Sequence, residues 1–199
     1  MEYFAGHHAR VHEMLGDRTP AQFATLPLAA RKQILRENLV QNEPVIIEEG
    51  DYYDDEMDSE ISSGVLLRQQ RIMGSDETGK QLVKEAREVY YGENTFKVQL
   101  HWLCEFKWDS LGDFYTPKLS IAPLVRSLVI EAGFHDGSTI DEYDGGINKK
   151  EGKDQVPNRH GRGLEARRTQ QRLQDLFLFT NAKDIKLVLR GRGWSMAVT

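Results

Sequence analysis

Residues 80–99 constrain the fold more than any other stretch, because they set an amphipathic helix against a strand with little chain between. Leu82, Val83, Ala86, Val89 and Tyr90 recur at helical spacing among Lys80, Lys84, Glu85, Arg87 and Glu88, so one stripe faces a core and the other faces water. Thr95-Phe96-Lys97-Val98-Gln99 alternates polar and apolar β-formers, which predicts a short strand with Phe96 and Val98 turned inward. Between them Gly92 is expected at the left-handed position that closes the helix, where a residue without Cβ meets no steric penalty. The stretch supplies no reactive group held beside a partner, so it speaks of architecture and not of chemistry.

Similar elements recur on both sides. Thr19-Pro20 offers an N-cap and a first-turn proline, and Phe23, Leu26, Leu28, Ile34, Leu35 and Leu39 outline two short helices broken at Pro27. Val45-Ile46-Ile47 predicts a short buried strand, and Val65 to Met73 a short helix interrupted by Gly74 and Gly79. Further on, Leu100 to Leu111 predicts an apolar-rich helix, Val125 to Ile130 a strand covered on both faces, Leu164 to Phe179 a helix, and Ile185 to Arg190 a last strand. Helix followed by strand favours parallel pairing with right-handed crossovers. The fold class is therefore α+β, or a small α/β layer, with an N-terminal helical cap and a partly leucine-rich-repeat-like winding. No fixed repeat period is visible. Residues 1–18 are expected as a flexible tail and 19–199 as a single domain. Mobile loops are expected near 48–60, where eight of thirteen residues are acidic, and near 133–163, rich in glycine and charge.

Composition and motifs narrow the chemistry. The 199 residues suit one domain, and 39% hydrophobic against 29% charged content fits a folded centre with polar loops. A single cysteine, Cys104, excludes an intrachain disulfide framework, fits a reducing compartment, and is expected to be a buried structural thiol. The N-terminus has no secretory pattern and no apolar run is long enough for a membrane span, so a cytoplasmic or nuclear location is expected. Gly161-Arg162-Gly163 and Gly191-Arg192-Gly193 lack the third glycine and the strand-to-helix context of a phosphate loop, and no Gly-x-Ser-x-Gly elbow is present. His8 and His12 have one-turn helical spacing but no third ligand, and Ile140 to Glu151 imitates a calcium loop whose first carboxylate is replaced by Ile140. No catalytic residue, cofactor or metal is expected. A formal charge of −5 argues against bulk nucleic-acid binding, yet Lys149 to Arg172 carries eight cations against three acids. Arg167, Arg168, Arg172, Arg190, Arg192 and Trp194 thus form the alternative, an RNA- or phosphate-binding basic face.

The run Ala86 to Phe96, centred on Tyr91-Gly92-Glu93-Asn94-Thr95-Phe96, resembles the segment R-x-x-Y-x-x-x-x-x-x-Y-G-x-N-x-F of a large group of filamentous-fungal F-box-like proteins. Other parts of that pattern are echoed in order. Leu26-Pro27-Leu28-Ala29-Ala30-Arg31 followed by Ile34 resembles its L-P-x-E-x-R-x-x-I opening, with Ala29 at the acidic place. Glu43-Pro44-Val45-Ile46-Ile47 resembles its E-P-x-I-I strand, and Val125-Arg126-Ser127-Leu128-Val129-Ile130 its I-R-x-L-x-I strand. The resemblance covers roughly residues 23 to 131. It implies a non-enzymatic protein-interaction module whose Leu-Pro element and following helix dock on a Skp-type adaptor of cullin ubiquitin ligases. The partner-binding residues would be Leu26, Pro27, Leu28, Ile34 and Leu35.

Overall fold

Five strands form one sheet in the order in which the chain makes them. The computed structural model describes residues 2–47, 66–108, 120–133, 167, 169–191 and 194–198. The acidic run 48–60, the calcium-like stretch 140–151, both the loop from 134 to 163 and Gly161 to Gly163 within it, and Arg168 and Arg192 lie outside the described residues. The elements are α1 (Glu2–Met14), α2 (Pro20–Ala24), α3 (Leu28–Leu39), β1 (Val45–Ile47), α4 (Gln70–Met73), α5 (Glu77–Glu93), β2 (Thr95–Gln99), α6 (Leu103–Phe106), β3 (Ser127–Gly133), β4 (Asp184–Gly191) and β5 (Trp194–Val198). Strands β1 to β4 are parallel, with Val45, Phe96, Leu128 and Ile185 abreast. Strand β5 returns antiparallel to β4, Gly191 facing Trp194, and was not foreseen from sequence. The α+β or small α/β class is what the structure has.

Parallel strands laid down in chain order, each joined by a right-handed crossover, place all their connections on one face. The aromatic core reports this directly. Phe96, fully buried on β2, meets Tyr90 and Tyr91 of α5 at ring distances of 5.4 and 5.6 Å, and Phe106 of α6 at 5.2 Å. Phe106 stacks in turn on Phe179, which precedes β4, at 6.2 Å. The described parts of the three connections therefore meet on one side of the sheet. Val98, Leu128 and Ile130, all buried, complete that side.

The N-terminal helices pack on α5 as a further layer. Thr19 caps α2 in a capping box with Gln22, Pro20 opens it, and Pro27 separates it from α3. Down the α3–α5 contact run three ion pairs: Arg31–Glu85 at 2.7 Å, Lys32–Glu88 at 3.5 Å and Arg36–Glu93 at 2.5 Å. Among the described residues no helix is long and apolar enough to cross a membrane.

Several expectations require correction. The flexible tail expected at 1–18 is largely helix α1, with Val11, Met14 and Leu15 buried in the core; these stand at helical spacing behind the histidines that obscured them. The chain then turns through Gly16 and Asp17, both with positive φ. Gly92 is not left-handed: α5 continues through it to Glu93, and Asn94 closes the helix instead. The Asn94 amide donates to the Tyr90 carbonyl at 2.9 Å and to the Leu39 carbonyl at 2.8 Å, while its oxygen accepts the Gln41 N–H at 2.8 Å. One buried side chain thus satisfies the last turns of α5 and α3 together, so no glycine turn is needed. The helix expected over 100–111 is a 3₁₀ turn, Leu100–Trp102, followed by α6, which ends at Phe106. Trp108 makes a β-bridge to Ser120 and is 41% exposed. The third strand starts at Ser127, because Val125, though buried, still belongs to a turn on Ile121. Cys104 is half-buried, its Sγ 4.0 Å from the His101 carbonyl.

Two glycines in α5 should respond oppositely to alanine. A Cβ on Gly79 would fall on the Gly74 carbonyl and within 2.7 Å of the Gly74 Cα, and Gly74 is itself held at φ 113°. Gly79→Ala is expected to cost about 2–3 kcal/mol. A Cβ on Gly92 would meet only the Leu124 carbonyl, at an ordinary 3.7 Å. Gly92→Ala should be neutral or stabilise by up to about 1 kcal/mol through helix propensity. Urea melts of both variants check this, and equal effects at the two sites would contradict it.

Candidate partner-binding surface

Local forces divide the stretch from Leu26 to Leu35 between the fold and the solvent. Leu35 is fully buried, and Leu26 and Ile34 are partly buried against the same core. Arg31 points inward: its Nη1 donates to the Ala24 and Leu26 carbonyls at 3.0 and 2.6 Å, while its Nε and Nη2 hold Glu85 in a bidentate pair. The guanidinium so fixes the bend at Pro27 and ties it to α5. Leu28, in the first turn of α3, is 49% exposed, beside exposed Pro27 and Ala29. Of the five expected docking residues, Leu28 and Pro27 face outward, Leu26 and Ile34 lie at the boundary, and Leu35 belongs to the core.

The described residues of the alternative basic face come from different elements. Arg167 is exposed and Arg172 half-buried at the segment leading to the 3₁₀ turn Asp175–Leu178, whereas Arg190 lies near the end of β4. Trp194 opens β5 opposite Gly191. Arg190 is occupied, with an Nη2 to Glu131 distance of 2.6 Å.

That contact belongs to a network missed in the sequence, on the sheet face opposite Phe96. Glu131, only 5% exposed, takes Lys97 Nζ at 3.1 Å and Arg190 at 2.6 Å on one oxygen, and the Gln99 amide at 3.0 Å on the other. Lower on the same face the Thr95 and Ser127 hydroxyls meet at 3.1 Å. Strict alternation in β2 was the available signal, since it places Lys97 and Gln99 away from Phe96 and Val98. The strand expected at Val125 to Ile130 stops one residue short of Glu131, whereas β3 runs on to Gly133 and includes it.

Elsewhere, a cleft of about 470 Å³ between α1 and the end of α3 is lined by Arg10, Met14, Glu37 and Asn38. Asn38 donates there to the Met14 carbonyl across the helix junction and to the Ile34 carbonyl of its own helix, while Arg10 pairs with Glu13 within α1 at 2.8 Å. His8 and His12 do lie on one helix, but among the described residues no group of three or more potential ligands could hold a metal. Against known proteins, no family model, curated protein or solved structure matches this chain.

Proposed function

We propose that the chain is a non-enzymatic protein-interaction module of the cytoplasm or nucleus, and that its α2–α3 element docks on a partner, a Skp-type adaptor being the candidate implied by the F-box-like resemblance. The observation that carries this reading is the division of labour along residues 26–35. Arg31 and Leu35 hold the element together from within, which leaves Leu28 and Pro27 presented at a rigid bend. An exposed leucine beside a proline on a braced helix start offers a pre-organised apolar contact at little conformational cost.

Leu28→Glu tests it. The position is solvated and lies in the first turn of a helix, where a carboxylate is favoured by the helix dipole, so the melting temperature should stay within about 2 °C. Binding to a purified Skp-type adaptor, read by calorimetry, should be lost. A parent protein that binds no such adaptor would reject the ubiquitin-ligase version, and a Leu28→Glu variant that binds normally would reject the surface. The alternative of RNA or phosphate binding is less well supported, because Arg190 already serves Glu131. A steep loss of binding with salt would favour it over apolar docking.

A further inference from the structure

Helix α1 gives two N-terminal imidazoles a fixed spacing that a loose tail would lack. The helix runs from Glu2 to Met14, and His8 and His12 stand one turn apart on it, with Cβ atoms roughly 5–6 Å from each other. Val11, Met14 and Leu15 take the buried side, which leaves both histidines exposed, His12 with 46% of its side chain in solvent. Among the described residues no hydrogen bond or ion pair engages the His8 ring. His12 has a carboxylate beside it, its Nδ1 lying 3.9 Å from Asp17 Oδ1. Asp17 follows Gly16 in the turn that ends α1, and its φ of 57° brings the side chain back against the helix. The fold thus adds to the one-turn spacing an ordered helix under the pair and an acid behind one ring.

We propose that His8 and His12 together bind a late divalent transition-metal ion, of the zinc and copper class, as an exchangeable brace on α1. Imidazole suits these metals, and histidines at i and i+4 on one helix face reach the same ion. Asp17 is the positioning residue: a carboxylate at Nδ1 draws the ring proton to that nitrogen and leaves the Nε2 lone pair for the metal. Magnesium and calcium, which take oxygen ligands, do not suit the pair. Arg10, two residues from each histidine, falls on the opposite side of the helix and pairs with Glu13 at 2.8 Å, so it sets no charge against the ion. Two protein ligands make an open site, with water at the remaining positions, and the ion exchanges with its concentration in solution. The consequence lies in the chain itself. A bound ion ties successive turns of α1 together, and α1 carries Val11, Met14 and Leu15 into the core, so binding is linked to the stability of the N-terminal layer. None of these residues belongs to the docking surface at Leu28, and the inference does not rest on that reading.

Zinc chloride at about 100 µM should raise the melting temperature of the full chain by about 3 °C or more, the linkage expected once the ion stands at about ten times its dissociation constant. Magnesium chloride at the same concentration should leave it unmoved. Amide exchange in the presence of zinc should slow in α1 before any other element. His8→Asn and His12→Asn should each abolish the zinc shift while keeping the zinc-free melting temperature within about 2 °C of the parent, because both rings are solvated. Asp17→Asn, which tolerates the left-handed turn, should weaken zinc binding about tenfold without abolishing it, as read by competition with a zinc-indicator dye. No zinc shift in the parent, an equal shift with magnesium, a shift that survives either histidine substitution, or slowed exchange that spares α1 would each overturn the proposal. Parental zinc affinity in Asp17→Asn would overturn the role given to Asp17.

Discussion

Glu85→Gln should lower the melting temperature by about 10 °C at neutral pH, although it changes a single oxygen to nitrogen. The Glu85 side chain is 2% exposed and its carboxylate takes three hydrogen bonds: Arg31 Nε at 2.8 Å, Arg31 Nη2 at 2.7 Å and the Gln81 amide at 2.8 Å. Removing its charge leaves the Arg31 guanidinium, itself mostly buried, without its counter-ion. Breaking a buried pair from one side costs about 3–5 kcal/mol, and each kcal/mol moves the melting temperature of a domain this size by about 2–4 °C. Burial alone would push the Glu85 carboxyl up, but the hydrogen bonds from Arg31 and Gln81, followed by the charges of Arg31 and Lys32, outweigh it and hold the group below its ordinary value of 4.5. A pKa depressed on folding contributes stability that is fully present above the unfolded value and is lost as pH falls through the folded one. The gap between parent and Glu85→Gln should therefore be constant above about pH 5.5 and narrow below pH 4.5. A gap that persists unchanged in acid would show that packing and not charge is at work. Arg31→Lys should not substitute, since an ammonium cannot hold both carboxylate oxygens and two carbonyls at once.

The pair also shows why the motifs around it were legible as pattern but not as role. Arg31 falls within the stretch that resembles an F-box opening, and in the structure it braces that opening from inside. Asn94 sits in the central Tyr-Gly-Glu-Asn-Thr-Phe run and caps two helices, one of them distant in sequence. Local periodicity found α5, β1, β2 and β4 because burial on one side imprints a repeat of 3.6 or 2 on the residues themselves. It missed what depends on a remote partner: the cap on α3, the packing of α1 and the Glu131 network. Glu131 falls just past the strand expected at Val125 to Ile130, and only the register with Lys97 and Arg190 gives it a place. The exposure of Leu28 against the burial of Leu35 was equally hidden, since both are leucines at helical spacing and only the position of α5 decides which one is covered.

Phe96→Ala should cost about 3–5 kcal/mol, a large part of the roughly 5–15 kcal/mol that stabilises a domain. The ring is fully buried, and it is where the α5 connection and the α6 connection touch, with Phe179 one ring further on. Alanine leaves a cavity among Tyr90, Tyr91 and Phe106, and the edge-to-face contact of Tyr90 with Phe96 is lost with the ring. Phe96→Leu keeps much of the volume and should cost less than half as much. The pattern of the loss distinguishes a keystone from an ordinary core residue. If three connections depend on this contact, amide exchange should speed up together in α5, β2 and β3, rather than in β2 alone. The proposed docking surface rests on that frame, because α3 is clamped to α5. Phe96→Ala should therefore weaken contacts at Leu28 in proportion to the fraction unfolded. A variant that melts within a few degrees of the parent, or that loosens β2 without α5, would show that the core is divided and that Phe96 does not join its parts.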